Sequence, residues 1–234
     1  MMQFSLFEQI ALAIFLLSGI SFFLYHLLLR LKIILKGKSD FSIDQLPKRI
    51  ARVFDEVILH KKVASGKRKS AGILHALVMY GFIFFGLITI NHFGMAFGLP
   101  IFSDSIRHAY FLFFGAPWAI LCSIGILGLA YRRFVIKPEA LGKFSSTSAI
   151  VSVFIVTLMV TYLIDEFHIL SGAAEKFNWW LHSGVIGGFL FLIPQSKHMH
   201  LVLSPFNIFL RPFEVPSHGA IPVSYTHLRA HETR

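Results

Sequence analysis

The chain has 234 residues, 55% of them apolar and only 15% charged, with a mean hydropathy of +0.68 and a formal net charge of +10. An ordinary soluble domain carries about 25% charged residues, so this composition excludes a disordered chain and a water-soluble globule and points to an integral membrane protein. The single cysteine, Cys122, excludes an internal disulfide and any cysteine-ligated zinc or iron–sulfur centre within these residues, whereas twelve histidines make imidazole the ligand for any metal held here.

Five apolar stretches lie near 8–29, 71–92, 109–131, 147–168 and 178–196. Each is long enough to cross about 30 Å of hydrocarbon as a helix. Lipid offers no partner for an open sheet edge, so helices are expected throughout. The expected fold class is all-α, an integral membrane bundle of five transmembrane helices.

The first span has no basic residues before it and no small-residue cleavage site after Leu17. Residues 1–30 are therefore expected to form an uncleaved anchor rather than a signal peptide. Residues 31–70 are basic and amphipathic. Ile50, Val53, Phe54, Val57 and Ile58 recur at helical spacing there, which predicts a short interfacial helix. The other four spans make up a membrane core over 71–212. The tail, 213–234, changes composition abruptly after Pro222. Its stretch 225–234 resembles translated sequencing-adapter read-through, so that stretch is expected to be artefactual and the natural chain to continue. His227 and His231 are set aside for that reason.

Charge orients the spans. Of the 22 Lys and Arg, 20 fall in the 30–69 segment, the 132–146 loop and the tail after residue 195. Only Arg107 and Lys176 lie in the other two connections. Under the positive-inside rule the basic side is cytoplasmic, which puts the N-terminus outside and the C-terminus inside. The positive charge is accounted for by topology and anionic lipid, with no need for nucleic acid.

An ionisable residue inside a span is a functional hypothesis by default. His75 and His92 sit near the two ends of span two. His182 opens span five, and His200 falls at or just past its end. Because the two spans run antiparallel, His75 pairs in depth with His200 on the inside, and His92 with His182 on the outside. His182 and His200 are 18 residues apart, five full turns and roughly 27 Å on one helix face. His198 would point about 160° away from His182, and His92 about 100° from His75. Two histidines on neighbouring antiparallel helices can clamp the iron of a flat, apolar haem from both faces. Gly72, Gly81, Gly86, Gly184, Gly187 and Gly188 would let the macrocycle lie against these two helices, although small residues also serve helix packing. His108 and His168 are rival outer ligands and His26 a weaker one. His60 and His218 are expected to be solvated. Asp165 and Glu166, at the outer end of span four, and Lys197 on the inner side are candidates for a quinone or proton site. Trp179 and Trp180 fit an aromatic belt, and Cys122 a small core residue.

Span five carries a more specific pattern. Trp179, His182, Pro194, Ser196, Lys197, His200, Pro205 and Asn207, within residues 179–212, resemble the membrane part of heterodisulfide reductase-related iron–sulfur proteins. Residues 72–90 are similar to that family's second span, with its histidine at His75, and Arg132–Arg133 also fit. The five-span layout looks like the gamma subunit of respiratory nitrate reductase. In that subunit the second-span histidines are closer together than His75 and His92.

The resemblance implies a b-type cytochrome with two haems, held by His75, His200, His182 and His92. It implies electron exchange with menaquinone or ubiquinone in the cytoplasmic membrane of a prokaryote. It also implies iron–sulfur clusters in a cytoplasmic domain or subunit outside these residues. The expected role is the membrane electron-transfer part of a quinone-linked oxidoreductase. The rival readings are a haem-free membrane anchor of a redox complex and a proton-coupled transporter. Nothing in the chain signals another enzyme class: there is no nucleotide-binding glycine loop, HExxH or Ser/His/Asp pattern.

Overall fold

A computed structural model describes residues 3–34, 36, 44–61, 69–211 and 213. The 225–234 stretch and His218 lie outside the described residues. Those described are all helical or connecting, with no strand among them. Helix α1 is Leu6–Ile34, α2 Leu46–Val53 and α3 Lys69–Ala96. Helices α4 (Asp104–Tyr110) and α5 (Ala116–Tyr131) are joined by a π-helical turn at Phe111–Gly115. Helix α6 is Ser146–Glu166, α7 Gly172–Leu192 and α8 His200–Leu210.

Among the described residues, four helices are long and apolar enough to cross a membrane: Leu6–Ile33, Lys69–Ala96, Asp104–Ile136 and Ser146–Glu166. Their many exposed Leu, Ile and Phe side chains give lipid an apolar surface to cover. Helix α7 exists where a fifth span is expected, but it is not among the four. Glu175, Lys176, Asn178, His182 and its glycines dilute its apolar character.

Helix α7 also stops earlier than expected. It ends at Leu192, before Pro194, and Ser196 is extended (φ −124°, ψ 171°). A 3-10 turn at Lys197–Met199 then leads into α8, which His200 opens. Proline cannot donate to the helix ladder and its ring crowds the preceding turn. His182 and His200 are therefore not on one continuous helix, and the five-turn arithmetic does not apply between them.

The membrane helices pack in the order α3, α5, α6, α7, α1. Close approach is allowed where side chains vanish. A Cβ on Gly81 would sit 2.8 Å from Cys122 Sγ of α5, and one on Gly188 2.9 Å from Phe154 of α6. One on Gly187 would collide with Phe15 of α1. These three glycines serve helix packing rather than leaving room for a macrocycle. Gly86 and Gly184 have nothing within 4 Å of an added Cβ. Cys122 is buried in the main core with Ile88, Phe111, Ala119, Met159 and Tyr162.

Helices α3 and α7 are not among the closely packed pairs. They are drawn together by side chains at the end where α3 finishes. There Leu12, Ala96 and Trp179 form a second core, Gln9 Nε2 donates to Ala96 O (2.9 Å), and Lys176 pairs with Glu8 (2.7 Å).

Candidate functional site

Histidines gather at both ends of the gap between α3 and α7. At the His75 end the positions are set by a surface layer in which α2 packs on α8. A short helix is present in the segment where an interfacial one is expected, α2, with Ile50 exposed on it and Phe54 exposed at the start of the following turn. Its buried Arg49 donates to Phe209 O (2.8 Å) and to Asp44 O (2.9 Å), and Arg52 donates to Arg211 O (2.6 Å). Guanidinium groups thus satisfy carbonyls at the end of α8 that the helix itself leaves free. Arg211 in turn pairs with Glu56, whose carboxylate raises the Arg211 pKa further.

The π-helical turn Phe54–Ile58 follows α2, and Tyr80 of α3 donates its hydroxyl to Ile58 O. This delivers His60, in the left-handed region at φ 50°, against α3. His60 is 6% exposed, which corrects the expectation of a solvated side chain. Its Nδ1–H donates to Val57 O (2.6 Å), and its ring centroid lies 5.7 Å from that of His75. On the other side, the His75 and His200 centroids are 6.1 Å apart. His200 donates its Nδ1–H to Lys197 O (2.8 Å), which leaves Nε2 for a ligand. His75 Nδ1 is buried without a hydrogen-bond partner. His198 lies 6.3 Å from His200, and burial, reinforced by Lys197, His200 and His75, lowers its pKa to about 4. Lys197 donates to Ser148 Oγ (2.7 Å). Its pKa is lowered by burial and by nearby Arg133.

At the other end His92 and His182 have centroids 5.0 Å apart. Both rings are engaged. His92 Nε2 bonds Ser183 Oγ (2.9 Å), and the ring stacks on Trp179 at 4.7 Å. His182 Nδ1 lies 2.7 Å from Thr161 Oγ1. The Thr161 hydroxyl donates to Thr157 O (2.7 Å), so it accepts the His182 proton. Trp179 is 5% exposed and belongs to this core, not to an aromatic belt.

A cavity of about 240 Å³ opens beside these rings, lined by His92, His182, Trp179, Tyr162, Asp165 and Glu166 among others. Asp104 and Glu175 add two more carboxylates, facing the Arg107 guanidinium and the His168 imidazole. The Glu166 side chain is 8% exposed and pairs with Arg107 at 3.0 Å. Both carboxylates from the end of α6 therefore reach the same cavity as the histidine pair. Tyr162 is buried, and its hydroxyl has no partner.

The rest scatter. His168 lines the cavity, His108 is exposed, and His26 meets Phe22 at a tilt and Tyr25 edge-on along α1. Lys197 is at the opposite end from Asp165 and Glu166. Sequence reasoning missed His60, Tyr162, Thr161 and Ser183. Thr161 and Ser183 carry no periodic or motif signal, whereas His60 was visible as a histidine one loop away from His75.

The histidine pairs can be tested against a haem. Imidazole binds first-row metals at about 2.0–2.1 Å, so two rings on opposite sides of one metal have centroids roughly 6 Å apart. His75 and His200 meet that spacing, and the Nδ1 support of His200 leaves its Nε2 free. The 5.0 Å pair is tighter, so its rings would have to move apart, and His92 would have to release Ser183 to offer its Nε2. No group of three or more His, Cys, Asp or Glu among the described residues forms a metal-ion site.

No protein-family model matches the chain. No solved structure matches it either. A curated relative in Bacillus subtilis (strain 168), named "Probable iron-sulfur-binding oxidoreductase FadF", is 30% identical over 222 residues. That alignment covers 82% of this chain and 31% of the relative, so the chain spans about a third of the length of the protein it matches. The similarity connects a chain whose described residues are helical or connecting, with four helices long and apolar enough to cross a membrane, to a protein named as a probable oxidoreductase.

Proposed function

We propose that this chain is a b-type membrane cytochrome that relays electrons between the quinone pool and a cytoplasmic iron–sulfur domain or subunit. The observation that carries the reading is the placement of histidine pairs at both ends of one interhelical gap, His75 with His200 and His92 with His182. The likeness to an iron–sulfur-binding oxidoreductase supports the redox class and the kind of partner. Haem would supply reversible one-electron chemistry, with iron held by imidazoles whose second-shell contacts tune its potential.

The chain's own residues supply position and protons. Backbone carbonyls fix the rings of His60 and His200, and Thr161 fixes that of His182. At the His92 end, Asp165 and Glu166 give a quinol headgroup two carboxylates to receive protons, and Arg107 holds Glu166 in place. Tyr162 offers an unpaired hydroxyl to a quinone oxygen in the same cavity. A chain with one haem is the second reading, favoured by the tighter spacing of the His92–His182 pair.

The test is a reduced-minus-oxidised absorption spectrum of the detergent-purified chain, with pyridine haemochrome quantitation. Two b-type haems per chain support the main reading, and one supports the second. None, after expression with adequate haem supply, sinks both and leaves a haem-free anchor.

A further inference from the structure

The reading above fixes the His60 ring but gives it no partner, yet His60 is better buried than either histidine of the pair it adjoins. Its backbone is held in the left-handed region, which non-glycine residues adopt sparingly and which is over-represented at functional sites. The turn that carries it is pinned from three directions, by Tyr80 to Ile58, by Arg211 to Glu56 and by Arg49 to α8. The His60 ring is also fixed in tautomer. A carbonyl oxygen only accepts, so the 2.6 Å contact with Val57 O puts the proton on Nδ1 and leaves Nε2 of the neutral ring as an acceptor. Next to it stands His75, whose Nδ1 is buried with no partner. The two rings stack with centroids 5.7 Å apart at an interplanar angle of 29°, so a turn of either ring would bring Nε2 of His60 toward Nδ1 of His75.

A histidine that binds a metal through one nitrogen almost always donates its other N–H to an acceptor, which raises the basicity of the ligand. We propose that His60 is that acceptor: a positioning residue that takes the Nδ1–H of His75, orients its ring and makes it a more electron-rich axial ligand. The inference rests on the cytochrome reading and adds to it a reason for the unusual burial of His60. No bond to iron is assigned to His60.

The test uses the full chain in detergent, with redox titration followed by absorption and low-temperature electron paramagnetic resonance. In His60→Phe the ring volume stays and the acceptor goes. Expected are unchanged haem content, a retained low-spin signal and an upward shift in the midpoint potential of the haem at the His75 end. His60→Gln, which restores an acceptor oxygen, is expected to bring the potential back toward the original value. An unshifted potential in His60→Phe would make His60 a packing residue. If His60→Phe and His60→Gln both lose the low-spin signal at this end while His200→Ala keeps it, His60 is the iron ligand itself and the positioning role is wrong. A parent chain without haem would defeat the cytochrome reading, a result distinct from either.

Discussion

The two histidine levels are built on opposite plans. At the His75 end the rings are spaced for a shared metal, one nitrogen is left without a partner, and the supports are backbone carbonyls on a surface layer. At the His92 end the rings sit closer, each holds a side-chain hydroxyl, and a carboxylate-lined cavity adjoins them. His200 and His182 each spend Nδ1 on a support and keep Nε2, whereas His92 spends Nε2 on Ser183 Oγ. The first level meets the spacing of a shared metal. The second would have to move its rings apart, but it adjoins the polar groups that a proton-exchanging substrate needs.

The largest effects follow from removing one member of each level. His75→Ala is expected to lower haem content by one per chain and His182→Ala by one more, with the double variant haem-free by pyridine haemochrome. Equal losses would place both levels on the same footing, and a loss only with His75→Ala would leave one haem site.

Next in size is the ion pair at the cavity. Arg107→Ala strands the buried Glu166 carboxylate, and breaking such a pair costs about 3–5 kcal/mol. Thermal unfolding in detergent should show a clear fall, partly recovered by adding Glu166→Gln. The exposed Lys197 at the other end has a single hydroxyl partner, so Lys197→Ala should change stability by no more than about 0.5 kcal/mol.

Thr161→Val removes the acceptor of the His182 proton and should cost about 1–3 kcal/mol in the haem-free chain. If His182 holds iron, the same change should weaken haem retention by about 10–100-fold. The smallest contrast concerns the glycines. Gly187→Val overlaps Phe15 and should cost about 1–3 kcal/mol. Gly86→Ala meets no neighbour and should be neutral or slightly stabilising by helix propensity. A loss of haem in Gly86→Ala, measured by pyridine haemochrome, would put the macrocycle on that face after all.

Much of the scaffold was legible in the residues. Hydropathy located α1, α3, the α4–α5 rod and α6 to within several residues, because lipid demands long apolar helices whatever their neighbours. The amphipathic spacing of Ile50 to Ile58 located α2 and the π-helical turn after it. What escaped was tertiary. Periodicity assumes an unbroken helix, so the stop at Leu192 was read through, although Pro194 stood in plain view. His60 looked solvated because a basic loop surrounds it, and its burial depends on a turn held by Tyr80 from another helix. Trp179 was read as a belt residue because nothing local distinguishes an interfacial indole from one stacked on His92. The carboxylates Asp165 and Glu166 were picked out by depth alone. Their shared cavity with the histidines needed the fold.

The break after Leu192 has a mechanical consequence. Had α7 run straight through, any movement at one end would have been transmitted rigidly to the other. As built, His182 rides on the long helix α7, while His200 rides on a separate short helix clasped by Arg49 and Arg52. A force on that surface layer would therefore reach His200 without passing along α7 to the distant pair.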